Sequence, residues 1–366
     1  MYGATIGKTS MLGIDSSTNQ ACAVGVLNKS LILNKYLYYY LSSQRELFVL
    51  AGKGGAQPNI SQSVIREWEI PLAPVNEQKR IADKLDSLLA RVDTCRERLD
   101  RVPGILKRFR QAVLAAATSG ELTREWREGR GVTGSWSTVE LESVASDFSY
   151  GSASKSQKVG KVPVLRMGNI QDGCLDWADL VYTSDDLEID KYKLRDGDVL
   201  FNRTNSPELV GKAAVYRGER EAIYAGYLIR VRCGPQLLPE YLNYCLGSPA
   251  GRDYCWQVKS DGVSQSNINA RKLAAFSFGL PPLLEQVEIV RRVSSLFALA
   301  HQFERRQIGA RQQVSRLTPS GLSKAFRGEL VPQDPNDEPA SELLARIRAA
   351  GTEPPAPKRG RKAGAR

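Results

Sequence analysis

The chain repeats itself, and a repeat of this length restricts it to folds built from two similar halves. Asn59-Ile60-Ser61 matches Asn267-Ile268-Asn269, Glu77-Gln78 matches Glu285-Gln286, and Gly120-Glu121-Leu122 matches Gly328-Glu329-Leu330, each pair 208 residues apart. Farther upstream the offset slips to 204, at Gly7-Lys8 against Gly211-Lys212, as expected when loops change length while elements persist. Leu37-Tyr38-Tyr39-Tyr40-Leu41 likewise resembles Tyr241-Leu242-Asn243-Tyr244-Cys245-Leu246. The second half begins near Trp136, yet Met1 aligns opposite about Asn205, so roughly 69 residues have no counterpart in the first half. A misplaced start codon, a truncated gene or a partner that supplies the missing strands would each account for this.

Two kinds of segment alternate within the repeat. Between residues 136 and 282, short strand-like runs such as Val162-Pro163-Val164-Leu165, Asp198-Val199-Leu200-Phe201, Ala213-Ala214-Val215-Tyr216 and Leu228-Ile229-Arg230-Val231 are punctuated by Gly, Asn, Asp and Pro. With a helix expected over residues 239–246, this is a mixed α/β globule. After Pro282 the apolar positions recur every 3.5 residues, the spacing of a coiled-coil seam: Ile289, Val293, Leu296, Ala300, Phe303, Gln307, Ala310, Val314 and Leu317, broken only by Gln307. The same register in the first half gives Ile81, Leu85, Leu88, Val92, Cys95, Leu99 and Val102. Pro74 and Pro282 precede these helices, Asn76 suits an N-cap, and Glu77 and Glu285 suit the positive end of the helix dipole. Pro103 should kink the first helix or start a second piece that ends at Ser119-Gly120. Two helices with narrow seams most simply pack on one another, which would hold two similar globules a fixed distance apart about an approximate two-fold axis.

At 366 residues and 42% hydrophobic content, the chain is long enough for two or three domains with real cores. Its net charge of +11 favours a polyanionic partner, although five of the positive groups lie in the stretch from Lys358 to Arg366. The Pro/Ala-rich tail over residues 333–366 reads as disordered, most clearly after Gly351. The six cysteines include no C-x-x-C pair and His301 is the only histidine, so a Cys/His zinc site is not expected; the cysteines read as reduced cytosolic thiols. No run approaches the roughly 20 apolar residues that span a bilayer, and Met1-Tyr2-Gly3-Ala4 does not open a signal peptide, so a cytoplasmic protein is expected.

Enzymatic motifs are missing. Gly3-Ala4-Thr5-Ile6-Gly7-Lys8-Thr9 has three residues where a phosphate loop needs four between Gly and Gly-Lys; its counterpart around Gly211-Lys212 reads as a turn with a basic tip before a strand. There is no Asn/Asp-Pro-Pro-aromatic motif and no Gly-rich cofactor loop, as an adenine methyltransferase would need. His301 falls on an outward helical position.

Polar loops carry the functional signal. Asn202-Arg203-Thr204-Asn205-Ser206 follows one strand and Arg166-Met167-Gly168-Asn169 another, while Ser264-Gln265-Ser266-Asn267 pairs with Ala56-Gln57-Pro58-Asn59. Asn and Gln read adenine edges, Arg reads guanine, and Ser, Thr and Lys take phosphates. The candidate DNA contacts are therefore Lys8, Gln57, Asn59, Arg166, Asn169, Asn202, Arg203, Thr204, Asn205, Lys212, Ser264, Gln265 and Asn267. Each of these residue types also makes ordinary turns.

The chain resembles the specificity subunits of type I restriction-modification systems. The features that carry the resemblance are Met1-Tyr2-Gly3-Ala4-Thr5-Ile6-Gly7-Lys8, Gln57-Pro58-Asn59-Ile60-Ser61, Pro71-Leu72-Ala73-Pro74 before Glu77-Gln78, and the helix end from Val113 to Leu122. Phe201 to Ser206 with Leu209 to Lys212, Pro281 to Gln286, and Ala325 to Leu330 complete them. The resemblance implies an α+β fold: two mixed α/β target-recognition domains, the first incomplete, separated by two long antiparallel coiled-coil helices with an internal pseudo-two-fold repeat. It places a truncated first recognition domain at 1–75, a central helical region at 76–122, a linker at 123–135, the second recognition domain at 136–282, a distal helical region at 283–332 and the tail at 333–366. It implies a non-catalytic subunit that reads a bipartite site on double-stranded DNA and assembles with two modification (methyltransferase) subunits and with restriction subunits. S-adenosylmethionine, ATP and Mg would be bound by those partners, none by this chain. A structural coiled-coil adaptor, a self-contained nuclease-methyltransferase and a truncated, non-functional specificity subunit stay open as alternatives.

Overall fold

The computed structural model describes residues 3–28, 30–52, 59–132, 134–263 and 265–351. They form two compact units, one of residues 1–101 with 307–366 and the other of residues 102–306. Two long helices contribute to both: α4, Val75–Ser119, and α11, Leu283–Phe326.

The first unit contains α1 (Asn34–Ser43), α2 (Arg45–Ala51), α3 (Gln62–Arg66), the first part of α4, the last part of α11, and α12 (Ala340–Gly351). Its core joins Tyr36 and Tyr39 of α1 to Ile81 and Leu85 of α4 and to Leu322 and Ala325 of α11. The tail expected to be disordered from residue 333 is instead ordered as far as residue 351. Leu343 is fully buried, and Arg80 binds Asp337 at 2.6 Å, its guanidinium holding that carboxyl below the usual range. Asn76, expected as an N-cap, is instead the second residue of α4. The tail cations from Lys358 onward lie outside the described residues.

The second unit holds α5 (Arg124–Glu128), α6 (Leu141–Val144), α7 (Asp186–Tyr192), α8 (Pro239–Gly247), α9 (Pro249–Val258) and α10 (Ala270–Ala274). The stretch expected to be a plain linker, 123–135, thus contains a helical turn. A four-stranded antiparallel sheet has the order β2 (Ala145–Tyr150), β11 (Leu228–Cys233), β7 (Val199–Asn202), β9 (Ala213–Val215). A second sheet joins β10 (Ile223–Tyr224), β3 (Val162–Leu165) and β6 (Val181–Thr183), and β4 (Ile170–Gln171) pairs with β5 (Cys174–Leu175). A third, small sheet has the order β12 (Ser260–Asp261), β13 (Ser266–Asn267), β8 (Thr204–Asn205), and β1 (Ser137–Glu140) pairs with β14 (Ser277–Leu280). Val199, Phe201, Ile229 and Val231 of the main sheet pack on Tyr241, Leu242, Cys245 and Leu246 of α8, while Leu200, Ala214 and Leu228 enter a second core; the sheet is buried on both faces, and the strand's period of two divides its residues between them.

The sequence repeat recurs as a repeat of contacts. In the first unit Gln78 accepts from the Leu33 N–H at 2.9 Å and donates to the carbonyls of Leu31 and Ala73 at 3.0 and 2.8 Å. In the second, Gln286 accepts from the Leu238 N–H at 2.8 Å and donates to Gln236 and Pro281 at 2.8 and 2.9 Å. Tyr36 donates to the carbonyl of Pro71 and Tyr241 to that of Gly279, both at 2.7 Å, and Ser61 and Asn269 cap α3 and α10. Gly7 and Gly211 both have positive φ; at Gly211 a Cβ would lie 2.5 Å from Cys255 Sγ, so only glycine fits the turn before β9. The halves differ at residues 69–72, the counterpart of β14, which have no strand partner among the described residues.

Within each unit α4 and α11 run antiparallel. Contacts are Arg96 to Thr318 and Asp100 to Arg311 in the first unit, and Arg110 to Glu304 and Arg292 to the Leu122 carbonyl in the second. Of the expected seam, Ile81, Leu85, Val92, Ile289, Val293 and Ala300 are buried, and Leu88, Leu99 and Leu296 are half-buried. Phe303 and Leu317, nearly half exposed, and Cys95 are not part of it. A helix of 3.6 residues per turn drifts about 20° per heptad against a 3.5 repeat, so a seam extrapolated over many turns walks off the contact line.

Pro103 does not break α4, which runs unbroken from residue 75 to 119 and stops where Gly120 takes φ +85°. The proline still removes the N–H that would bond the Leu99 carbonyl four residues back. Gln307, the polar intruder in the seam, is almost buried and donates to that carbonyl at 3.1 Å. The two irregularities complement each other, since one helix leaves an acceptor unpaired and the other supplies the donor. Gln307→Leu should therefore cost roughly 1–3 kcal/mol by orphaning the carbonyl. In a Pro103→Ala background, where the backbone N–H regained at that position restores the helical bond, the same change should cost little. Urea denaturation of the four proteins of this cycle checks the coupling; strictly additive effects would contradict it.

Candidate nucleic-acid interface

Two of the polar loops, far apart in sequence, meet in the small sheet of the second unit. β8 lies antiparallel to β13 with Thr204 opposite Asn267, and the sheet is tied to its surroundings by Arg203 N–H to the Tyr227 carbonyl and Ile268 N–H to the Arg203 carbonyl. The Arg203 guanidinium lies over the Tyr150 ring at 4.7 Å and donates to the Gly226 carbonyl and to Asn267 Oδ1, both at 3.3 Å. Asn267 Nδ2 donates in turn to Thr204 Oγ1 at 2.8 Å. Arg203 Nε is buried without a partner, and its two hydrogen bonds are long. A stacked, oriented guanidinium whose terminal nitrogens are held only by long bonds is suited to planar, two-point recognition of a base edge or a phosphate. Beside it, Asn205 Oδ1 accepts from the Ser206 N–H at 2.8 Å, and Gln265 is exposed.

A second group lies around the turn before β9. Lys212 Nζ donates to Gln171 Oε1 at 3.1 Å, and the Lys212 carbonyl accepts from the Asn202 N–H. Arg166 reaches the exposed Asp179 at 3.3 Å. Two expected contacts are corrected here. Asn169 is buried and locks its own turn, accepting from the Arg166 N–H and donating to the carbonyls of Asp176 and Asp179. Asn202 is fully buried, so its amide faces the interior. Both were chosen for residue type and for following a strand, and neither tells which face of a strand end a side chain occupies.

In the first unit Lys8 and Asn59 are exposed, whereas Gln57, like Ser264 of the second half, lies outside the described residues. Sequence reasoning missed Tyr150, 43% exposed, the platform under Arg203, because 53 residues separate the two.

The charge is distributed differently from what a basic chain suggests. Residues 136–282 carry 17 Lys and Arg against 18 Asp and Glu, so the positive excess lies outside this domain. Within it the charges segregate: residues 136–198 have 7 cations and 12 anions, residues 199–282 have 10 cations and 6 anions. The small sheet belongs to the basic part. A local patch steers a polyanion as effectively as net charge does, because screening limits the field to about 10 Å.

Nucleophilic chemistry has little support in the second unit. Burial pushes the thiols of Cys233 and Cys245 up to about 12 and that of Cys255 to about 11, which keeps them protonated packing groups. Among the described residues no group of three His, Cys, Asp or Glu could hold a metal, and no helix is long and apolar enough to cross a membrane. His301 is exposed and hydrogen-bonds Glu304.

Comparison with known proteins agrees with the internal repeat. The family described as the type I restriction modification DNA specificity domain matches twice, at residues 1–103 and 134–310. The chain is 34% identical over 362 residues to the EcoKI specificity subunit of Escherichia coli K12, covering 94% of this chain and 78% of that one. It is 37% identical over 305 residues to the StySPI specificity subunit of Salmonella potsdam, covering 80% and 65%. The fold matches the HsdS subunit from Thermoanaerobacter tengcongensis with a TM-score of 0.54 at 21% identity, covering 83% of this chain and 72% of that one. A chain from a type I R-M system studied for complex assembly and conformational transition matches with a TM-score of 0.64 at 23% identity, covering 83% and 73%. With both halves matched and the repeat preserved in its contacts, the chain belongs to the family of type I restriction-modification DNA specificity subunits.

Proposed function

We propose that this chain is the non-catalytic specificity subunit of a type I restriction-modification enzyme, which binds double-stranded DNA and assembles with partner subunits. Its second recognition domain reads one half of a bipartite target. The observation that carries the reading is the convergence of the 203–205 and 265–267 segments on one small sheet, in the basic part of a domain whose family is defined by DNA specificity. Two modification subunits and the restriction subunits dock on the chain, and those partners bind S-adenosylmethionine, ATP and Mg. The second unit's contribution is positional: Arg203 is held by Tyr150 and Asn267, and Lys212 takes a phosphate.

A gel shift with and without co-expressed methyltransferase subunits, followed by mapping of methylated adenines, tests the assignment. Sequence-specific binding and methylation by the complex are expected; an adaptor would bind no DNA, and an enzyme would methylate alone. Arg203→Ala should cost roughly 1–3 kcal/mol and relax one position of the site, and Arg203→Lys should not restore it, since an ammonium lacks the planar fork. Lys212→Ala should weaken binding to every sequence and lower the salt slope by about one unit. Wild-type affinity, site preference and salt slope in both variants would remove these roles.

A further inference from the structure

Among the described residues Val263 is the most exposed large apolar side chain. Its place makes that notable. β12 and β13 form a two-stranded ribbon, Ser260 opposite Asn267 and Asp261 opposite Ser266, and the Gly262 N–H donates to the Gln265 carbonyl at 2.8 Å. Val263 lies beyond that last ribbon bond, at the turn, two residues before exposed Gln265.

The ribbon is anchored at its base. Lys272 Nζ donates to the Val258 carbonyl and to Ser260 Oγ. Lys259 Nζ binds Asp261 at 2.6 Å and lies 4.3 Å from the ring centroid of Trp256, while Ser266 Oγ also bonds Asp261. The Lys259 ammonium holds that carboxyl below the usual range, so the one acidic group of the ribbon is compensated where a phosphate would approach. The other edge of β13 joins β8, which places the turn in the same sheet as the Arg203 segment.

A single exposed valine needs no explanation on an ordinary surface. At the tip of an anchored ribbon, in continuity with the Arg203 cluster and with the cations Lys259 and Lys272 at its base, it has one. The major groove, about 12 Å wide, admits a two-stranded ribbon, and there thymine alone presents a methyl group while adenine offers the paired donor and acceptor that a carboxamide matches. We propose that the ribbon of β12 and β13 enters the major groove of the half-site read by this domain, with Val263 packed on the 5-methyl group of a thymine and Gln265 bonded to an adenine edge. The inference rests on the specificity role proposed above. It also separates the two halves, because the counterpart of Val263 in the first half is Gly55, which has no side chain to make this contact.

The test uses the full chain assembled with its methyltransferase subunits and synthetic duplexes of the mapped site. Each thymine is replaced in turn by deoxyuridine, which removes only the methyl group. Wild-type complex should lose about fourfold in affinity at one thymine of one half-site, the value of one buried methyl-sized group. Val263→Gly should bind the unmodified site about fourfold more weakly and be indifferent to the same replacement. Gln265→Ala should relax an adenine preference in that half-site. Indifference of the wild type to every replacement while it still prefers its site, or equal sensitivity in Val263→Gly, would overturn the inference. A complex with no sequence preference at all would overturn the specificity role and the inference with it.

Discussion

Both units are built around one buried side chain, the glutamine in the first turn of each long helix. Gln78 and Gln286 are wholly inaccessible, and the amide of each binds three backbone groups: two carbonyls and one N–H. In each case one carbonyl lies just before the long helix and the other two groups lie just before the tyrosine-bearing helix, α1 or α8. A buried amide with a full complement of partners tolerates one arrangement, since any shift leaves polar groups unpaired at roughly 1–3 kcal/mol each. The glutamine thus fixes where the helix leaves the globule. Its neighbour Glu285 adds to this in the second unit, binding Arg127 and Thr123 at 2.6 Å and Trp136 Nε1 at 3.0 Å, and so fastening the start of the recognition domain to the start of α11.

A scaffold fastened in this way can present reading groups without having to order them at the moment of binding. Arg203 illustrates the point. Its guanidinium is stacked on Tyr150 and tethered to Asn267 before any DNA arrives, through bonds long enough to be exchanged for stronger ones. The near-neutral charge of residues 136–282 follows the same logic, since a domain that attracted phosphate on every face would gain affinity without register.

Much of this was legible in the sequence because it depended on local pattern. The offset of 208 residues paired Gln78 with Gln286 and Ser61 with Asn269, which the structure shows to be equivalent anchors and caps, and the apolar spacing of 3.5 residues marked both long helices. The strands at 162–165, 199–202, 213–215 and 228–233 fell on the apolar runs. What escaped were properties set by tertiary neighbours. Pro103 looked like a break, but Gln307 of the other helix supplies the missing donor. Phe303 and Leu317 continued the heptad on paper while the contact line turned away from them. Residues 340–351 looked like tail, but Leu343 found a core. Asn169 and Asn202 had the right chemistry for a base edge and the wrong orientation, whereas Tyr150 had no motif around it. The loops as segments were identifiable; which side chains face outward was not.

The central claim is that residues 136–282 carry one half of the target sequence. It is tested most directly by exchanging this segment for the corresponding domain of a relative and mapping the adenines methylated by the assembled complex. The account predicts that one half-site changes to that of the donor while the other half-site is retained. Simultaneous change of both half-sites, or no change in either, would contradict it.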